Sequence, residues 1–394
     1  MMNKRSLASF KGLGLKKVKL VCTVVSVVLL LLLFLSCQKK NGSQKADTKL
    51  ENNQAYFAKG FKMNSFGVLT HLTLFNPWIK DKTLQEVYFY PDSLLLPDSL
   101  TRKNVVRTPV QRLLALSATQ WGPLLQMGEA DCIKGVSEVK YVSNVAMKAL
   151  VEERKVVEVA ADGRFEVEQM IMINPDLVMY SPDPTGVPTS LKNTSLPLLA
   201  WCDYFETDPL GRAEWIKILG VLVQREAMAD SIFNHIVAEY QRLQSLVNTT
   251  VERPTVFADK AFAGQWYLPG GKSYMARLFE DAGATYLFAD NNSEASFPLD
   301  IETIFARASQ ADFWRVAQAA SGAYTYGQLQ SENELYASFQ AFKNKKVIYC
   351  NTYKTAYFER GPLEPHHILA DFIAVFHPEL LPGHIPTFHQ MMQP

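Results

Sequence analysis

At 394 residues, the chain is long enough for two domains, because a single hydrophobic core seldom grows beyond about 250–300 residues. Its 40 basic and 39 acidic residues leave a formal net charge of +1, and 48% of its residues are hydrophobic, as is typical of a globular protein. This balance argues against a nucleic-acid-binding surface, which needs clustered positive charge, and against an acidic tail.

The N-terminus has the pattern of an export signal. Six basic residues within the first nineteen positions precede an apolar stretch from Leu20 to Leu35, which is shorter than the ~20 residues that a membrane-spanning helix prefers. Cys37 follows it and resembles the acylated cysteine of the bacterial lipobox, although Phe34 stands where leucine is usual. We therefore predict a lipoprotein signal peptide over residues 1–37, with Cys37 lipidated. An uncleaved membrane anchor and a plain secreted chain are the alternatives, and all three place the following residues outside the cytoplasm.

Three cysteines follow Cys37 in the mature body, at positions 132, 202 and 350. Their wide spacing gives no Cys-x-x-Cys pair and no zinc framework, so no metal site is predicted. In an oxidising compartment one disulfide among Cys132, Cys202 and Cys350 is an alternative, but the sequence favours three buried thiols.

The first part of the mature chain predicts a tether followed by an α/β lobe. Residues 38–54 are polar, without an aromatic side chain, and are predicted to form a flexible tether. Residues 55 to about 90 alternate between apolar and polar positions, which predicts antiparallel strands. The segments "QRLLALSAT", "CIKGVS", "VVEVA" and "DLVMY" then alternate with short helical patterns, which predicts a parallel sheet. We assign residues 55–208 to this N-terminal lobe.

Residues 209–249 are predicted to be helical and to include one long helix. Ile232, Ile236, Tyr240 and Leu243 fall on one face of a segment that lacks glycine and proline for more than twenty residues. The alternation of strands and helices then resumes in "TVFAD", "DFWRV" and "KVIYC". A C-terminal α/β lobe is therefore predicted over residues 250–394.

Several segments, in this order, resemble one known family. They are "QRLLALSATQ", "FEVEQMIMINPDLVMY", "DPLGRAEWIKILG", "GGKSYMARLFEDAGATY", "IETIFARASQADFW" and "ERGPLEPHHILADFIAVFHPELLPGH". Together they are similar to the substrate-binding lipoproteins of bacterial ABC importers for ferric siderophores, haem and vitamin B12, over roughly residues 105 to 390. The resemblance implies an α/β fold with two Rossmann-like lobes joined by a single long α-helix. It also implies a monomer that binds a small metal chelate, is anchored to the membrane, and works with a permease dimer and its ATPase subunits.

Two of these segments share a design in which a short helix begins with a glutamate, Glu168 in the first and Glu302 in the second. In the family that the chain resembles, one glutamate on each lobe docks onto the permease dimer, and motif position gives this role to Glu168 and Glu302. The alternative is local, because acidic residues in a first turn stabilise a helix N-terminus by up to about 1 kcal/mol.

The ligand is expected at the carboxyl ends of the parallel strands, where the loops of both lobes meet. Aromatic side chains in such loops suit a large, partly apolar ligand, and Arg360 could pair with a ligand carboxylate or an anionic catecholate. Ordinary packing is the alternative for each aromatic residue. The predicted ligand-binding set is Thr119, Tyr141, Trp201, Tyr204, Trp266, Tyr267, Tyr357 and Arg360.

Motifs of catalysis are missing from the mature sequence. It has no Gly-x-Ser-x-Gly, His-Glu-x-x-His or Gly-x-Gly-x-x-Gly, "PGGKS" lacks the first glycine of a phosphate loop, and the C-terminal histidines have no metal-ligand spacing. We therefore expect a binding protein without catalytic residues, cofactor or metal of its own, which captures an iron-siderophore-type chelate on the periplasmic side of a bacterial membrane.

Three rival interpretations stay open. Within the same class, the ligand would be a corrinoid or haem. An enzyme that processes a metal chelate would need a perturbed acid or base in the cleft, for which Asp203 and Asp259 are the candidates. A capture lipoprotein exposed on the cell surface is the third.

Overall fold

The computed structural model describes residues 57–248 and 252–394, which lie in one compact unit of residues 54–394. The predicted signal peptide with Cys37 and the predicted tether fall outside the described residues. Over the two described ranges, no helix is both long and apolar enough to cross a membrane.

The chain begins with a four-stranded sheet. Its strands are β1 Phe61–Phe66, β2 Leu69–Phe75, β3 Thr83–Pro91 and β4 Val105–Thr108, hydrogen-bonded in that order. The first two pairings are antiparallel, which confirms the prediction from the alternating pattern, and β3 pairs with β4 in parallel.

A six-stranded, mainly parallel sheet follows, in the order β10-β9-β5-β6-β7-β8. The strands are β5 Leu113–Ala115, β6 Ile133–Ser137, β7 Val157–Ala161, β8 Arg164–Phe165, β9 Leu177–Tyr180 and β10 Leu198–Ala200. The helices between them are α1 Ala118–Gln126, α2 Val145–Glu152, α3 Val167–Ile173 and α4 Thr189–Lys192. Only the short β8 pairs in the antiparallel sense, so the carboxyl ends of the other strands meet at one edge.

Three consecutive helices lead to the second lobe: α5 Pro209–Glu214, α6 Ile216–Leu222 and α7 Glu226–Val247. The predicted long helix is confirmed as α7, which has 22 residues. Ile236, Tyr240 and Leu243 lie on its buried face, as predicted. Ile232 is only half-buried, and the neighbouring Phe233 is buried instead.

The second lobe has a five-stranded sheet in the order β14-β11-β16-β17-β18 and a three-stranded antiparallel sheet in the order β12-β13-β15. The strands are β11 Thr255–Ala258, β12 Ala261–Phe262, β13 Gln265–Leu268, β14 Thr285–Tyr286, β15 Phe297–Leu299, β16 Phe313–Gln318, β17 Val347–Asn351 and β18 Gln390–Met391. The helices are α8 Tyr274–Asp281, α9 Ile301–Ala308, α10 Tyr326–Glu332, α11 Gln340–Lys343, α12 Tyr357–Arg360 and α13 Pro365–Phe376. Single 3-10 turns occur at Asp98–Leu100, Ala130–Cys132, Val139–Tyr141, Asp203–Phe205 and Glu334–Ser338.

The predicted fold class is thereby confirmed: two α/β lobes are joined by one long helix. The three-stranded sheet was not predicted, because Trp266 and Tyr267 were expected in a loop at the end of a strand, whereas both lie in β13 of the hairpin β12–β13.

Two buried carboxylates attach the N-terminal segment to the first lobe. Glu214 accepts hydrogen bonds from the backbone N–H groups of Phe57 and Ala58, and Glu206 accepts them from Lys59 and Gly60. Burial raises the pKa of Glu206 above its ordinary value. The four backbone donors therefore find partners far along the chain, and the segment is fixed to helix α5 and the turn before it.

The side chain of Gln85 in β3 covers the free edge of β10. Its amide group donates to the carbonyl of Leu198 at 2.7 Å and accepts from the N–H of Ala200 at 2.9 Å. These two bonds replace those of a neighbouring strand, and they satisfy an edge that would otherwise be open to pairing with another chain.

We predict that His366 makes the fold less stable in acid. It is buried at the start of α13, near His235 of α7 and its neighbour His367. Burial, with smaller contributions from those two rings, lowers its pKa from 6.5 to about 3. The unfolded chain then binds more protons than the folded chain between these pH values, so this contribution to stability is complete above pH 6.5 and is lost as the pH falls towards 3.

The measurement is urea unfolding of His366→Gln and of the original chain at several pH values between about 7 and 4. The free energy of unfolding of His366→Gln should improve relative to that of the original chain as the pH falls. Asn292→Ala, at an exposed and uncharged position, is the control and should show no such relative change. A constant difference between His366→Gln and the original chain over this range would contradict the prediction.

Candidate functional site

The loops at the carboxyl ends of the parallel strands of both lobes enclose a cavity of about 250 Å³. The first lobe contributes Ser117, which follows β5, and Glu138 and Tyr141, which follow β6; the second contributes Phe358 and Glu359 from α12. Tyr141 is 70% exposed and Phe358 is 60% exposed, so two aromatic side chains are available to a ligand at this place.

Glu359 joins the two lobes at one end of this cavity. Its carboxylate accepts hydrogen bonds from the backbone N–H of Ser143 at 2.6 Å, from the N–H of Asn144 at 3.1 Å and from the hydroxyl of Ser143. Asn144 is the N-cap of helix α2, so the carboxylate lies next to the positive end of that helix. Glu359 is only 3% exposed, and hydrogen bonds to a charged group stabilise by about 1.5–3 kcal/mol each.

The backbones of the two lobes also touch directly. A Cβ atom at Gly122 in α1 would lie 1.8 Å from the carbonyl oxygen of Glu359, so any other residue would force α1 and α12 apart. Further along, Gln126 donates to Glu364 at 2.7 Å, and the Lys148 ammonium donates to the hydroxyl of Tyr353 at 2.8 Å. The interlobe cleft is therefore closed around the cavity.

A second polar cluster lies beside the cavity, where helices α5 and α8 meet. Asp203 accepts hydrogen bonds from the Thr119 hydroxyl at 3.0 Å and from Arg212 Nε at 3.1 Å. The Arg212 guanidinium in turn lies over the ring of Tyr274, 5.3 Å from its centroid. The Tyr274 hydroxyl is buried without a hydrogen-bond partner, and its burial raises its pKa.

The predicted ligand residues fall into three groups. Tyr141 lines the cavity, and Thr119 lies close to it with its hydroxyl bound to Asp203. Tyr204 and Tyr267 are partly exposed, and the Tyr204 hydroxyl donates to the carbonyl of Pro182 at 2.9 Å. The remaining four residues contact other parts of the protein. Trp201, Trp266 and Tyr357 are buried, and the charge of Arg360 is balanced by a carboxylate.

Trp266 is the clearest example of a predicted ligand residue that is buried in the protein. It is fully buried among Phe257, Trp314, Tyr336 and Phe339, and its indole N–H donates to the carbonyl of Ala258. This placement follows from the hairpin β12–β13, in which Trp266 takes an inward position between two exposed ones. The ring is part of the hydrophobic core.

Trp201 and Tyr357 are also buried, and Arg360 is paired. Trp201 packs against Trp215, and burial raises the pKa of Tyr357 to about 12. The guanidinium of Arg360 forms two hydrogen bonds with the carboxylate of Glu364, at 3.0 and 2.7 Å. Its charge is therefore already balanced, which weakens the expected pairing with an anionic ligand.

The two glutamates that the resemblance assigns to docking lie in first helical turns, as the sequence pattern predicts. Glu168 is in the first turn of α3 and Glu302 in the first turn of α9, and both are exposed. Among the described residues neither forms an ion pair with a basic side chain. Ile171 and Met172 are exposed one turn after Glu168, on the same side of α3.

The cysteines and histidines form no metal site in the described part of the chain. Cys132, Cys202 and Cys350 are free and buried, and burial raises the pKa of Cys132 and of Cys202 to about 12. His384 bonds to Asp371 at 2.7 Å. Among these residues no group of three or more potential ligands could hold a metal ion.

The sequence analysis missed Glu138, Ser143, Phe358 and Glu359 at this site. Phe358 and Glu359 lie between Tyr357 and Arg360, which were predicted to bind the ligand. Nothing in the sequence connects Glu359 with Ser143, which lies 216 residues before it.

Comparison with known proteins identifies a matching family model, a relative by sequence and solved structures with the same fold. A family model described as "Periplasmic binding protein" matches residues 113–353. An uncharacterized lipoprotein of Methanocaldococcus jannaschii is 26% identical over 292 residues, which cover 71% of this chain and 68% of the relative.

Solved structures share the fold at low identity. A periplasmic haem-binding protein from Pseudomonas aeruginosa has a TM-score of 0.58 and 14% identity, over 72% of this chain and 99% of its own. An ABC-type Fe3+-hydroxamate transport protein from Saccharomonospora viridis has a TM-score of 0.53 and 16% identity, over 68% of this chain and 94% of its own. At these identities the likeness shows the fold alone.

We predict that Glu359→Ala opens the cleft. The change leaves three donors of Ser143 and Asn144 without their acceptor, so the free energy of unfolding should fall by roughly 2–4 kcal/mol. Small-angle X-ray scattering should show a larger radius of gyration, because the lobes lose their tightest polar contact. Glu294→Ala, at an exposed position of the same lobe, serves as the control. An unchanged radius together with unchanged stability would rule out this role.

Proposed function

Since the chain belongs to the periplasmic binding protein family, we propose that it captures an iron-siderophore-type chelate between its lobes and delivers it to an ABC permease. The observation that carries this proposal is the cavity at the carboxyl ends of the strands, where Tyr141 and Phe358 are exposed. Ligands of open α/β sheets bind at this edge, and aromatic rings offer contact area at little cost in side-chain entropy.

The size of the cavity indicates how the ligand enters. About 250 Å³ is below the ~300–1,000 Å³ of ordinary small-molecule pockets, so a ferric chelate needs the lobes to separate. The hydrogen bonds of Glu359 then have to break, since they bridge the lobes beside the cavity. The long helix α7 keeps this separation small, because a single helix between lobes bends less than a flexible linker.

Two alternative ligands and one alternative activity compete with this proposal. Haem or a corrinoid would use the same cavity. A chelate-processing enzyme would need a perturbed acid or base in the cleft. Burial raises the pKa of Asp259, but this carboxylate is paired with Arg315 at 2.6 Å. Asp203 is bound to Thr119 and Arg212. These pairings favour binding over catalysis.

The remaining parts of the proposal concern membrane and partner. We propose that Cys37 is lipidated, that residues 38–54 tether a monomer to the periplasmic side of a membrane, and that residues 55–208 and 250–394 act as the two lobes. The lipoprotein relative supports the anchor. Glu168 and Glu302, exposed in equivalent first turns, would orient the protein on a two-fold symmetric permease, a role that suits charged groups at an interface.

The ligand prediction is tested by titrating residues 38–394 with ferric siderophores, haem and cobalamin, while tryptophan fluorescence is recorded. We expect saturation at one equivalent with submicromolar affinity for a ferric chelate. The matched variants are Phe358→Ala and Phe262→Ala, which both remove an exposed phenylalanine of the second lobe. Only Phe358→Ala should weaken binding, by about 1–2 kcal/mol for a lost aromatic contact. No response to any of these ligands would refute the proposed function.

The docking prediction uses charge reversal. In cells that depend on this protein for uptake of the bound ligand, Glu168→Lys with Glu302→Lys should lower uptake at least tenfold, while the ligand Kd of the purified protein stays unchanged. Glu152→Lys with Glu294→Lys reverses two other exposed glutamates, one in each lobe, and should leave uptake intact. Full uptake by the first pair would exclude these residues as docking sites.

A further inference from the structure

The interlobe cleft has a second compartment beside the cavity, on the opposite face of helix α1. Ala118 and Trp121 line the cavity, whereas Thr119 and Pro123 line the second compartment. In the closed form this compartment encloses about 10 Å³, which is room for about one water-sized group. Part of a ligand can therefore enter it only after the lobes have separated.

One segment of the second lobe covers both compartments. Phe358 and Glu359 line the cavity, and Pro362 and Leu363, which follow them in the chain, line the second compartment. A movement that takes Glu359 away from Ser143 therefore uncovers both compartments at once. A ligand that is too large for the cavity alone can then extend across α1.

Trp201 brings an unused hydrogen-bond donor to the second compartment. It lines this compartment and is 1% exposed, and its indole Nε1 atom is buried without a hydrogen-bond partner in the described part of the chain. Asp203, the carboxylate of the compartment, is bound instead by the Thr119 hydroxyl and by Arg212 Nε. A buried donor without an acceptor is costly, and a ligand that brings an acceptor relieves that cost.

The neighbouring Trp215 is a tryptophan of the same compartment whose N–H has a partner within the fold. Its ring packs against that of Trp201 with the centroids 4.8 Å apart, and it is also 1% exposed. Its Nε1 atom donates to the carboxylate of Glu206 at 2.9 Å. The two tryptophans are therefore equally buried and differ in whether the protein supplies an acceptor.

We infer that the second compartment is a ligand subsite, in which the Trp201 indole N–H donates a hydrogen bond to an oxygen acceptor of the bound chelate. Carbonyl, hydroxamate and carboxylate oxygens have this chemistry. An ammonium group does not, because it offers donors alone and an indole N–H cannot accept. This inference rests on the proposed function and adds the chemistry of the part of the ligand that crosses α1.

The test compares Trp201→Phe with Trp215→Phe, which remove the same part of a buried ring and differ in the hydrogen bond that is lost. Residues 38–394 of each variant are titrated by calorimetry with a ferric trihydroxamate, haem and cobalamin, and are unfolded in urea. Trp201→Phe should weaken binding about three- to tenfold, as for one lost hydrogen bond, whereas Trp215→Phe should change it less than about twofold. The urea midpoint should fall further in Trp215→Phe, because this variant leaves Glu206 without a donor.

A measurement on the original chain keeps the inference testable if Trp201→Phe does not fold. Formation of a hydrogen bond moves the proton resonance of an indole N–H downfield. One such resonance should therefore move downfield when the chain is saturated with the bound ligand in diamagnetic form, with gallium in place of iron, and this shift should persist in Trp215→Phe.

Three outcomes would overturn the subsite and leave the binding function standing. They are unchanged affinity of Trp201→Phe, an equal fall of the urea midpoint in both variants, and the absence of any downfield shift among the indole resonances. Failure of the original chain to bind a ferric chelate, haem or a corrinoid would overturn the proposed function, and this inference with it.

Discussion

The interlobe contact of Glu359 sets the form of the cleft, and the site depends on it. A buried carboxylate is tolerated only when its oxygens are hydrogen-bonded, and here a loop of the opposite lobe supplies the donors at the start of helix α2. The contact therefore needs both lobes at once, and either lobe alone would leave polar groups unsatisfied. Gly122 permits the approach, because the carbonyl of Glu359 occupies the space of its missing side chain.

Carboxylates that accept hydrogen bonds from backbone N–H groups also join other segments of this chain. Glu214 and Glu206 bind the backbone of the N-terminal segment, and Asp371 accepts three backbone N–H groups of residues 387–389. Asp176 likewise binds the N–H groups of Gln111 and Arg112 at the start of the first parallel sheet. Each carboxylate satisfies loop donors that no strand or helix can satisfy, and hydrogen bonds to charged acceptors are stronger than those between neutral groups.

The fold could be predicted from the sequence because its helices and strands follow from local patterns of apolar and polar residues. Helix α7 and the parallel strands follow from spacings within a dozen residues, and so do the first turns that carry Glu168 and Glu302. The site was harder to predict, because contacts between residues far apart in the chain decide which loop residues face the cavity. Trp266 shows why a prediction for the site differed from the structure. The alternation of exposed and buried side chains over Gln265–Leu268 is that of a strand, but the neighbouring glycines favoured a loop. Arg360 was assigned to the ligand because its charge could pair with an anionic group, whereas Glu364, four residues further along the chain, already balances that charge.

Closure of this cleft and entry of a ligand are coupled through Glu359. A ligand larger than the closed cavity has to separate this carboxylate from its donors at Ser143 and Asn144. The loss of these hydrogen bonds opposes the opening, because a buried carboxylate is costly without its donors. Contacts of the bound ligand with both lobes have to offset that cost, so the strength of the interlobe contact sets how readily the closed cleft admits a ligand.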